Sequence, residues 1–335
     1  MRQSVIDLCE DLARSRLLVQ GAGGNVSWKD GDVLWIKASG SRLADARQQP
    51  IFIPVSLSSL RLARDTGDFS ADPAVLNDSP LRPSIETSLH ALLPQRVVVH
   101  LHAVEILAHL VRLDARELLR ARLPANIAWV LIDYKKPGAD LAKALALALA
   151  QAPSTQVVFL GNHGVVICAD STNEIDQILG QLTAAMATVP RPHVKLPAPN
   201  ALSGIRWFGP YQRIPDDNAQ QLALDASLFD QLAPAWALYP EQVVFLGASA
   251  ACFEYHASVP FGLTGAVFVR GVGVFASTKF SADQMAQLRC YYDVMTRQPL
   301  SALFRVLSDD EVTELVNWDA EKYRLQRANL LNSVT

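Results

Sequence analysis

Two histidines separated by one residue, His100 and His102, follow an apolar run of three valines at residues 97–99. In a β-strand, alternate side chains point to the same face, so both imidazoles would lie on one side while Leu101 faces the core. Neutral imidazole is a common ligand of zinc and related divalent ions, and a catalytic zinc typically takes three protein ligands and keeps one position open. A third candidate, His163, lies in the segment GNHGVVIC after a second apolar strand. This spacing indicates a three-histidine metal site.

Glu86 precedes the histidine pair, in the segment RPSIETSLH. An HxH motif alone is weak evidence, because short motifs have a high rate of chance matches, but its combination with Glu86 and His163 favours a site. Glu86 should stand at the N-terminus of a helix, where the helix dipole stabilises acidic side chains, so capping is the alternative to proton transfer. A nearby cation would favour its carboxylate form, whereas burial would favour its acid form.

The hydrophobic pattern predicts the elements that would position these residues. Residues 2–18 predict an amphipathic helix, and the segments VSW and VLWIKA predict two strands joined at residues 30–32. Further along the chain, ETSLHALL predicts a helix, VVVHLH a strand, ILAHLVRL a helix, IAWVLIDY a strand and ADLAKALALALAQ a helix. The segment QVVFLGNHGVVIC predicts two strands joined at residues 161–164, with His163 at the joint, and a helix at 172–188 follows.

A glycine-rich loop, with Gly21, Gly23 and Gly24, precedes Asn25. Such a loop lets backbone N–H groups approach an anion closely. An ordinary turn into the next strand is the simpler interpretation, because isolated glycine motifs often carry no function. Lys37 could supply a positive charge to the same anion, or could face solvent.

The composition is that of a globular protein and argues against nucleic-acid binding. The 335 residues suffice for about two domains, and a net charge of −3 leaves no basic surplus for nucleic acid or anionic membranes. We therefore expect small molecules and other copies of the chain as partners. Four widely spaced cysteines predict reduced thiols. The acidic start and the absence of an apolar run of about twenty residues predict a soluble cytoplasmic protein.

A proline-rich stretch at residues 190–204 predicts an extended linker between a first domain, 1–189, and a C-terminal region, 205–335. In that region we predict a helix at 217–232, strands at 242–247, 266–271 and 272–276, and helices at 282–297 and 309–328, which together form a second α/β unit. The segment QVVFLG at 242–247 repeats residues 156–161 letter for letter. Chance convergence of two short apolar strands is a better explanation than internal duplication.

Four segments, in order, resemble the class II aldolase/adducin family over about residues 1–185: GNVSWKDGDVLWIKASG, RPSIETSLH, VVVHLHAV and FLGNHGVV. The segments YPEQVVFLG, RGVGVF and NWDAEKYR resemble the C-terminal extension of the family's longer members. The resemblance implies an α/β fold, with a three-layer domain whose central, mainly antiparallel sheet is flanked by helices, plus a smaller C-terminal α/β extension. It also implies a homotetramer with sites at subunit interfaces.

The resemblance implies roles for individual residues as well. Glu86 matches the general acid/base of the family's aldolases. The ligands of zinc, or of another divalent ion, are matched by His100, His102 and His163. The residues that hold the substrate's phosphate are matched by Asn25, Ser39, Gly40 and Ser84. The implied activity is retro-aldol cleavage of a ketose phosphate or a related sugar acid, through an enediolate.

Two departures from the family's pattern leave other activities open. Ile85 stands where some of the aldolases have a second serine, which weakens the phosphate pocket or makes the anion a carboxylate. No tyrosine occurs in residues 103–130, where some members use one from a neighbouring subunit, and Tyr134 does not match it. The alternatives are an epimerase, dehydratase or decarboxylase on a sugar derivative, or a non-catalytic binding domain like the adducin head. The three histidines and Glu86 argue against the last of these. Glu86 also argues against an epimerase, since the family's epimerases tend to carry Asp there.

Overall fold

The structure is a computed structural model that describes residues 1–194, 207–319 and 323. Within these ranges the chain forms one sheet in its N-terminal half and a second, smaller sheet in its C-terminal region. The predicted linker at 190–204 lies outside the described residues from position 195 onward. The domain boundaries proposed from the sequence therefore stay predictions.

The N-terminal half builds a seven-stranded sheet with helices between its strands. The helices are α1 (Arg2–Ala13), α2 (Leu57–Asp65), α3 (Thr87–Leu92), α4 (Val104–Leu110), α5 (Ala115–Arg122), α6 (Ala139–Gln151) and α7 (Thr172–Ala185), with a 3-10 turn at Leu43–Asp45. The strands are β1 (Asn25–Asp30), β2 (Val33–Lys37), β3 (Phe52–Ser56), β4 (Val97–Leu101), β5 (Trp129–Ile132), β6 (Val157–Leu160) and β7 (Gly164–Ala169). Their order is β3-β2-β1-β4-β7-β6-β5, and only the β5–β6 pair is parallel. The predicted mainly antiparallel sheet is confirmed.

The central strand β4 shows why the sheet is covered on both faces. Val97, Val99 and Leu101 pack into a core with side chains of α1, α4 and α7, while Val98 faces the opposite way into a core with α3 and α6. A fully buried Val or Leu side chain contributes about 1.5–3 kcal/mol, so an all-apolar strand is stable only between two layers. The three-layer arrangement expected from the sequence is therefore present.

The C-terminal region builds a five-stranded sheet of order β10-β11-β12-β9-β8. Its strands are β8 (Trp207–Phe208), β9 (Tyr211–Arg213), β10 (Ala251–Phe253), β11 (Val267–Val269) and β12 (Gly273–Ser277). Its helices are α8 (Asp217–Leu224), α9 (Ala226–Leu232), α10 (Pro240–Leu246), α11 (Ala282–Thr296) and α12 (Asp309–Val316), with a 3-10 turn at His256–Ser258. This is the predicted second α/β unit.

The C-terminal region packs on α4, the helix that directly follows β4. Val104 and Leu107 of α4 share one hydrophobic core with Leu288 and Met295 of α11. Around this core, the Arg297 Nε donates to Glu105 Oε1 at 2.9 Å. The two halves of the chain are therefore joined beside the end of the histidine-bearing strand.

Four predictions about elements were wrong in type or extent. The helix predicted at 217–232 is two helices, α8 and α9, separated at Asp225. The segment 242–247 is helical in α10, not a strand, since Pro240 opens the helix and Gly247, with φ of 94°, ends it. The first helix stops at Ala13 instead of residue 18. Helix α12 ends at Val316, and residues 317–318 are not helical, so the helix predicted at 309–328 is interrupted. Asp319 and Tyr323 are again helical, and residues 320–322 and 324–328 lie outside the described residues.

Two global expectations concern the cysteines and the membrane. All four cysteines are free thiols, as predicted. Among the helices in the described ranges, none has the length and apolar character that a membrane crossing requires.

Candidate metal centre

The three histidines singled out in the sequence converge in the structure. His100 lies in β4, His102 directly after it, and His163 in the turn between β6 and β7. The Nε2 atoms of His100 and His102 are 3.0 Å apart, and one nitrogen from each of the three rings lies within 4.8 Å of the others. The three residues are buried, with 1%, 2% and 3% of their surface exposed.

The sheet register brings these residues together. Strand β4 lies between β1 and β7, so His100 pairs with Asn25 on one side and with Val166 on the other. The tight β6–β7 turn then places His163 beside the end of β4. Gly164 makes this approach feasible, because a Cβ there would collide with the Leu101 carbonyl and lie 3.2 Å from atoms of both His100 and His102.

The turn that carries His163 is fixed by its neighbour Asn162. Asn162 adopts a φ of 55°, in the left-handed region that Asn tolerates better than most residues. Its side-chain nitrogen donates to the Leu238 carbonyl at 2.8 Å and to the Arg305 carbonyl at 2.6 Å. Both acceptors belong to the C-terminal region, which therefore holds the turn in place.

Glu86 lies beside the histidines on the side of α3. Its Oε2 is 3.6 Å from His100 Nε2 and its Oε1 is 3.8 Å from His163 Nε2. Asn25 Nδ2 donates to Glu86 Oε2 at 2.7 Å. Glu86 stands at the N-cap position of α3, yet its side chain makes no capping hydrogen bond. The carboxylate is therefore directed into the cleft and does not cap the helix.

The electrostatics of the cleft favour an ionised Glu86 and a neutral His100. Burial raises the pKa of Glu86, but the imidazoles of His100 and His163 and the hydrogen bond from Asn25 lower it by more, so its pKa lies below the ordinary value. Burial lowers the pKa of His100 to about 4, against the opposing effect of Glu86. At neutral pH, His100 is thus in the neutral form that binds metals.

The donor set fits a divalent metal. Three buried imidazole nitrogens face one another, as in catalytic zinc sites with three protein ligands. An ionised carboxylate lies within 4 Å of two of them. His100, His102 and His163 are therefore the residues that could hold an ion such as zinc.

The remaining sequence candidates line the same cleft. Besides the histidines, Glu86 and Asn25, its walls include Ser39, Gly40, Ser84, Ile85 and Lys37. Ser84 Oγ accepts a hydrogen bond from the Glu86 N–H at 3.3 Å. Lys37, buried and not solvent-facing, donates from Nζ to the Ser41 carbonyl at 2.6 Å and to the Ala22 carbonyl at 3.2 Å. The structure thus brings all eight predicted site residues into one place.

The comparisons with known proteins identify the domain that carries this cleft. Residues 3–185, more than half of the chain, match the family described as Class II Aldolase and Adducin N-terminal domain. The chain belongs to this family. The chain also continues beyond the class II aldolase domain into the C-terminal region.

Several known proteins are similar to parts of this chain. The uncharacterized oxidoreductase YuxG of Bacillus subtilis (strain 168) is 26% identical over 230 residues, which are 63% of this chain and 32% of YuxG. This chain therefore spans about a third of that relative's length. The N-terminal class II aldolase domain of a conserved protein from Thermoplasma acidophilum is 25% identical, with a TM-score of 0.46, over 54% of this chain and 90% of that chain. An L-fuculose-1-phosphate aldolase from Thermus thermophilus is 19% identical, with a TM-score of 0.36, over 55% of this chain and 90% of that chain.

One residue of the cleft comes from outside the class II aldolase domain. Glu241, at the start of α10, lines the cleft, and its Oε1 is 3.5 Å from His102 Nε2. Sequence reasoning missed it, because it placed the adjoining residues 242–247 in a strand remote from the histidines. The available signal was an acidic residue in the otherwise apolar segment YPEQVVFLG.

Proposed function

We propose that this protein is a metal-dependent lyase that cleaves a ketose phosphate, or a related sugar acid, by a retro-aldol reaction. The observation that carries the proposal is the group formed by His100, His102 and His163, three buried imidazoles facing one another, with the ionised Glu86 beside it. Membership of the class II aldolase and adducin family supports it. We propose zinc as the ion, because three-histidine sites with an open position suit it.

A divalent ion bound by the histidines would polarise a substrate carbonyl and stabilise the negative charge that develops as the carbon–carbon bond breaks. Glu86 is proposed to move the proton. Asn25 holds its Oε2, while its buried Oε1 accepts no hydrogen bond from any described residue. Oε1 is therefore the atom that takes the proton from the substrate hydroxyl, which becomes the aldehyde carbonyl as the carbon–carbon bond breaks. It then delivers the proton to the carbon that kept the electron pair of that bond.

A second group of cleft residues is proposed to bind the anionic end of the substrate. Ser39, Gly40 and Ser84 offer hydroxyl and backbone donors, and Lys37 adds a positive charge. Ile85 contributes an apolar surface to the same cleft. This combination supports either a phosphate or a carboxylate, held away from the reacting carbons so that they are positioned for cleavage.

Elemental analysis of the purified protein, beside its His100→Ala and Glu86→Gln variants, tests the proposal. We expect about one equivalent of a divalent metal in the wild type, its loss in His100→Ala, and its retention in Glu86→Gln. The matched control is His193→Ala, which removes an exposed histidine and should leave the metal in place. With ketose phosphates, the wild type should release an aldehyde, and Glu86→Gln should turn over at least about 100-fold more slowly.

The outcomes distinguish the activities found within the family. The wild type could bind metal yet release no aldehyde, and instead give an epimerised, dehydrated or decarboxylated product. That result would replace the lyase assignment by another reaction at the same centre. If the wild type neither holds nor takes up metal, the remaining interpretation is a non-catalytic binding domain. A homotetramer is part of the proposal, and a monomer by light scattering would contradict it.

A further inference from the structure

We infer that Glu241 is a ligand of the divalent ion, supplied to the class II aldolase domain by the C-terminal region. This inference rests on the proposed function, because it assumes that the three histidines hold a metal. Glu241 is only 3% exposed, and its Oε1 lies 3.5 Å from His102 Nε2. The residue therefore reaches the centre from well beyond the matched domain, which ends at residue 185.

The distances suit donors that share one ion. Groups bonded to zinc at about 2.0–2.2 Å lie about 3–3.5 Å from one another. The Nε2 atoms of His100 and His102 are 3.0 Å apart, and His102 Nε2 is 3.5 Å from Glu241 Oε1. The Glu86 carboxylate oxygens lie 3.6 Å from His100 Nε2 and 3.8 Å from His163 Nε2. Glu86 is therefore beside His100 and His163, whereas Glu241 is beside His102.

Charge gives a reason for a second carboxylate at this place. A buried carboxylate is costly unless positive charge faces it. A divalent ion held by the histidines would supply that charge, and Glu86 and Glu241 together would neutralise it. Glu241 would thus be a fourth protein donor, and a substrate oxygen would bind as a fifth, since zinc can expand to five donors during catalysis.

Hydrogen bonds fix the segment that delivers Glu241. The Leu238 N–H donates to Gln242 Oε1 at 2.8 Å, and the Leu238 carbonyl accepts from Asn162 Nδ2, also at 2.8 Å. Asn162 directly precedes His163. One pair of contacts therefore ties the segment before α10 to the turn that carries a metal ligand, so the ion and the C-terminal region should stabilise each other.

The experiment compares metal binding by the full-length wild type, Glu241→Gln and Glu105→Gln. Glu105 is the matched control, because it joins α4 to Arg297 of the C-terminal region without lining the cleft. Zinc affinity is measured by competition with a chromophoric chelator, and coordination by the visible absorption of the cobalt(II)-loaded proteins. Circular dichroism establishes that each variant is folded.

We expect Glu241→Gln to bind zinc about 10- to 100-fold more weakly and to show an altered cobalt spectrum. Glu105→Gln should match the wild type in both measurements. Wild-type affinity in Glu241→Gln would overturn the inference, and so would weaker binding with an unchanged cobalt spectrum, which would place Glu241 outside the coordination shell. A wild type that binds no metal would overturn the proposed function itself, so the two failures are distinguishable.

Discussion

Gly164 shows how closely the residues of the centre are packed. Because a Cβ at this position would meet the Leu101 carbonyl and both neighbouring imidazoles, Gly164→Ala should displace the histidines and weaken metal binding. We expect at least a roughly tenfold loss of zinc affinity and a lower free energy of unfolding, measured by chelator competition and urea denaturation. Gly180→Ala is the control, since nothing lies within 4 Å of its added Cβ. In the interior of α7 it should stabilise the protein by about 0.5–1 kcal/mol. Equal zinc affinities in the two variants would contradict this account.

His90 gives the stability of the protein a specific pH dependence. It is fully buried, its Nδ1 lies 2.7 Å from Ser27 Oγ, and burial lowers its pKa from 6.5 to about 3. Between these two values the unfolded chain therefore binds a proton at His90 that the folded chain does not. Stability is lost as the pH falls through this window, by up to about 1.4 kcal/mol per pH unit.

His90→Asn removes this titration while keeping a polar group near Ser27. Between about pH 7 and pH 5, the metal-free variant should lose about 2 kcal/mol less of its free energy of unfolding than the metal-free wild type. Urea denaturation at the two pH values measures both losses. The comparison is between pH values within each protein, so a uniform destabilisation of the variant does not affect it. Equal losses would show that His90 is not the responsible group.

At the scale of elements, the two copies of QVVFLG show a limit of prediction from sequence, because one forms a strand and the other a helix. Residues 157–160 of the first copy form β6, paired on both sides by β5 and β7, whereas the second copy lies in α10. The same six residues take both forms because a short apolar run fits any buried element. Pro240 before the second copy is typical of a helix start, and this local signal was available. The closing glycine, Gly161 in the first copy and Gly247 in the second, is common to both copies and does not distinguish them.

The pairing of His100 with His102 was predictable, because an HxH at the end of an apolar strand follows from the period of two. The approach of His163 depends on the pairing of β4 with β7, which no local rule sets. The resemblance to the family added the acid/base role of Glu86, the convergence of His163 and the residues proposed to hold the substrate's anion. Glu241 could not be located in this way, because its position depends on how α10 docks against the first domain, and no periodicity encodes that contact.

For the whole molecule, the shared core indicates that the two halves of the chain fold together. The apolar face of α4 packs into the same cluster as α11, and the Arg297–Glu105 ion pair lies at its edge, largely out of water on the arginine side. Contacts of this kind make the docking of the C-terminal region part of global stability. They also place that region against the helix that follows the histidine-bearing strand β4.

Calorimetry tests this coupling. We expect a single thermal transition for the metal-free protein, with equal calorimetric and van't Hoff enthalpies, at a fixed protein concentration. Glu105 accepts hydrogen bonds from Arg297 and from Thr188 Oγ1, the latter at 2.6 Å, so Glu105→Gln should lower the free energy of unfolding by about 1–3 kcal/mol. The whole transition should move to lower temperature, because both halves lose the same contact. Two resolved transitions in the wild type would contradict this, and so would a shift of only part of the heat absorption in the variant. Either result would mean that the C-terminal region unfolds independently and supplies Glu241 as a separable domain.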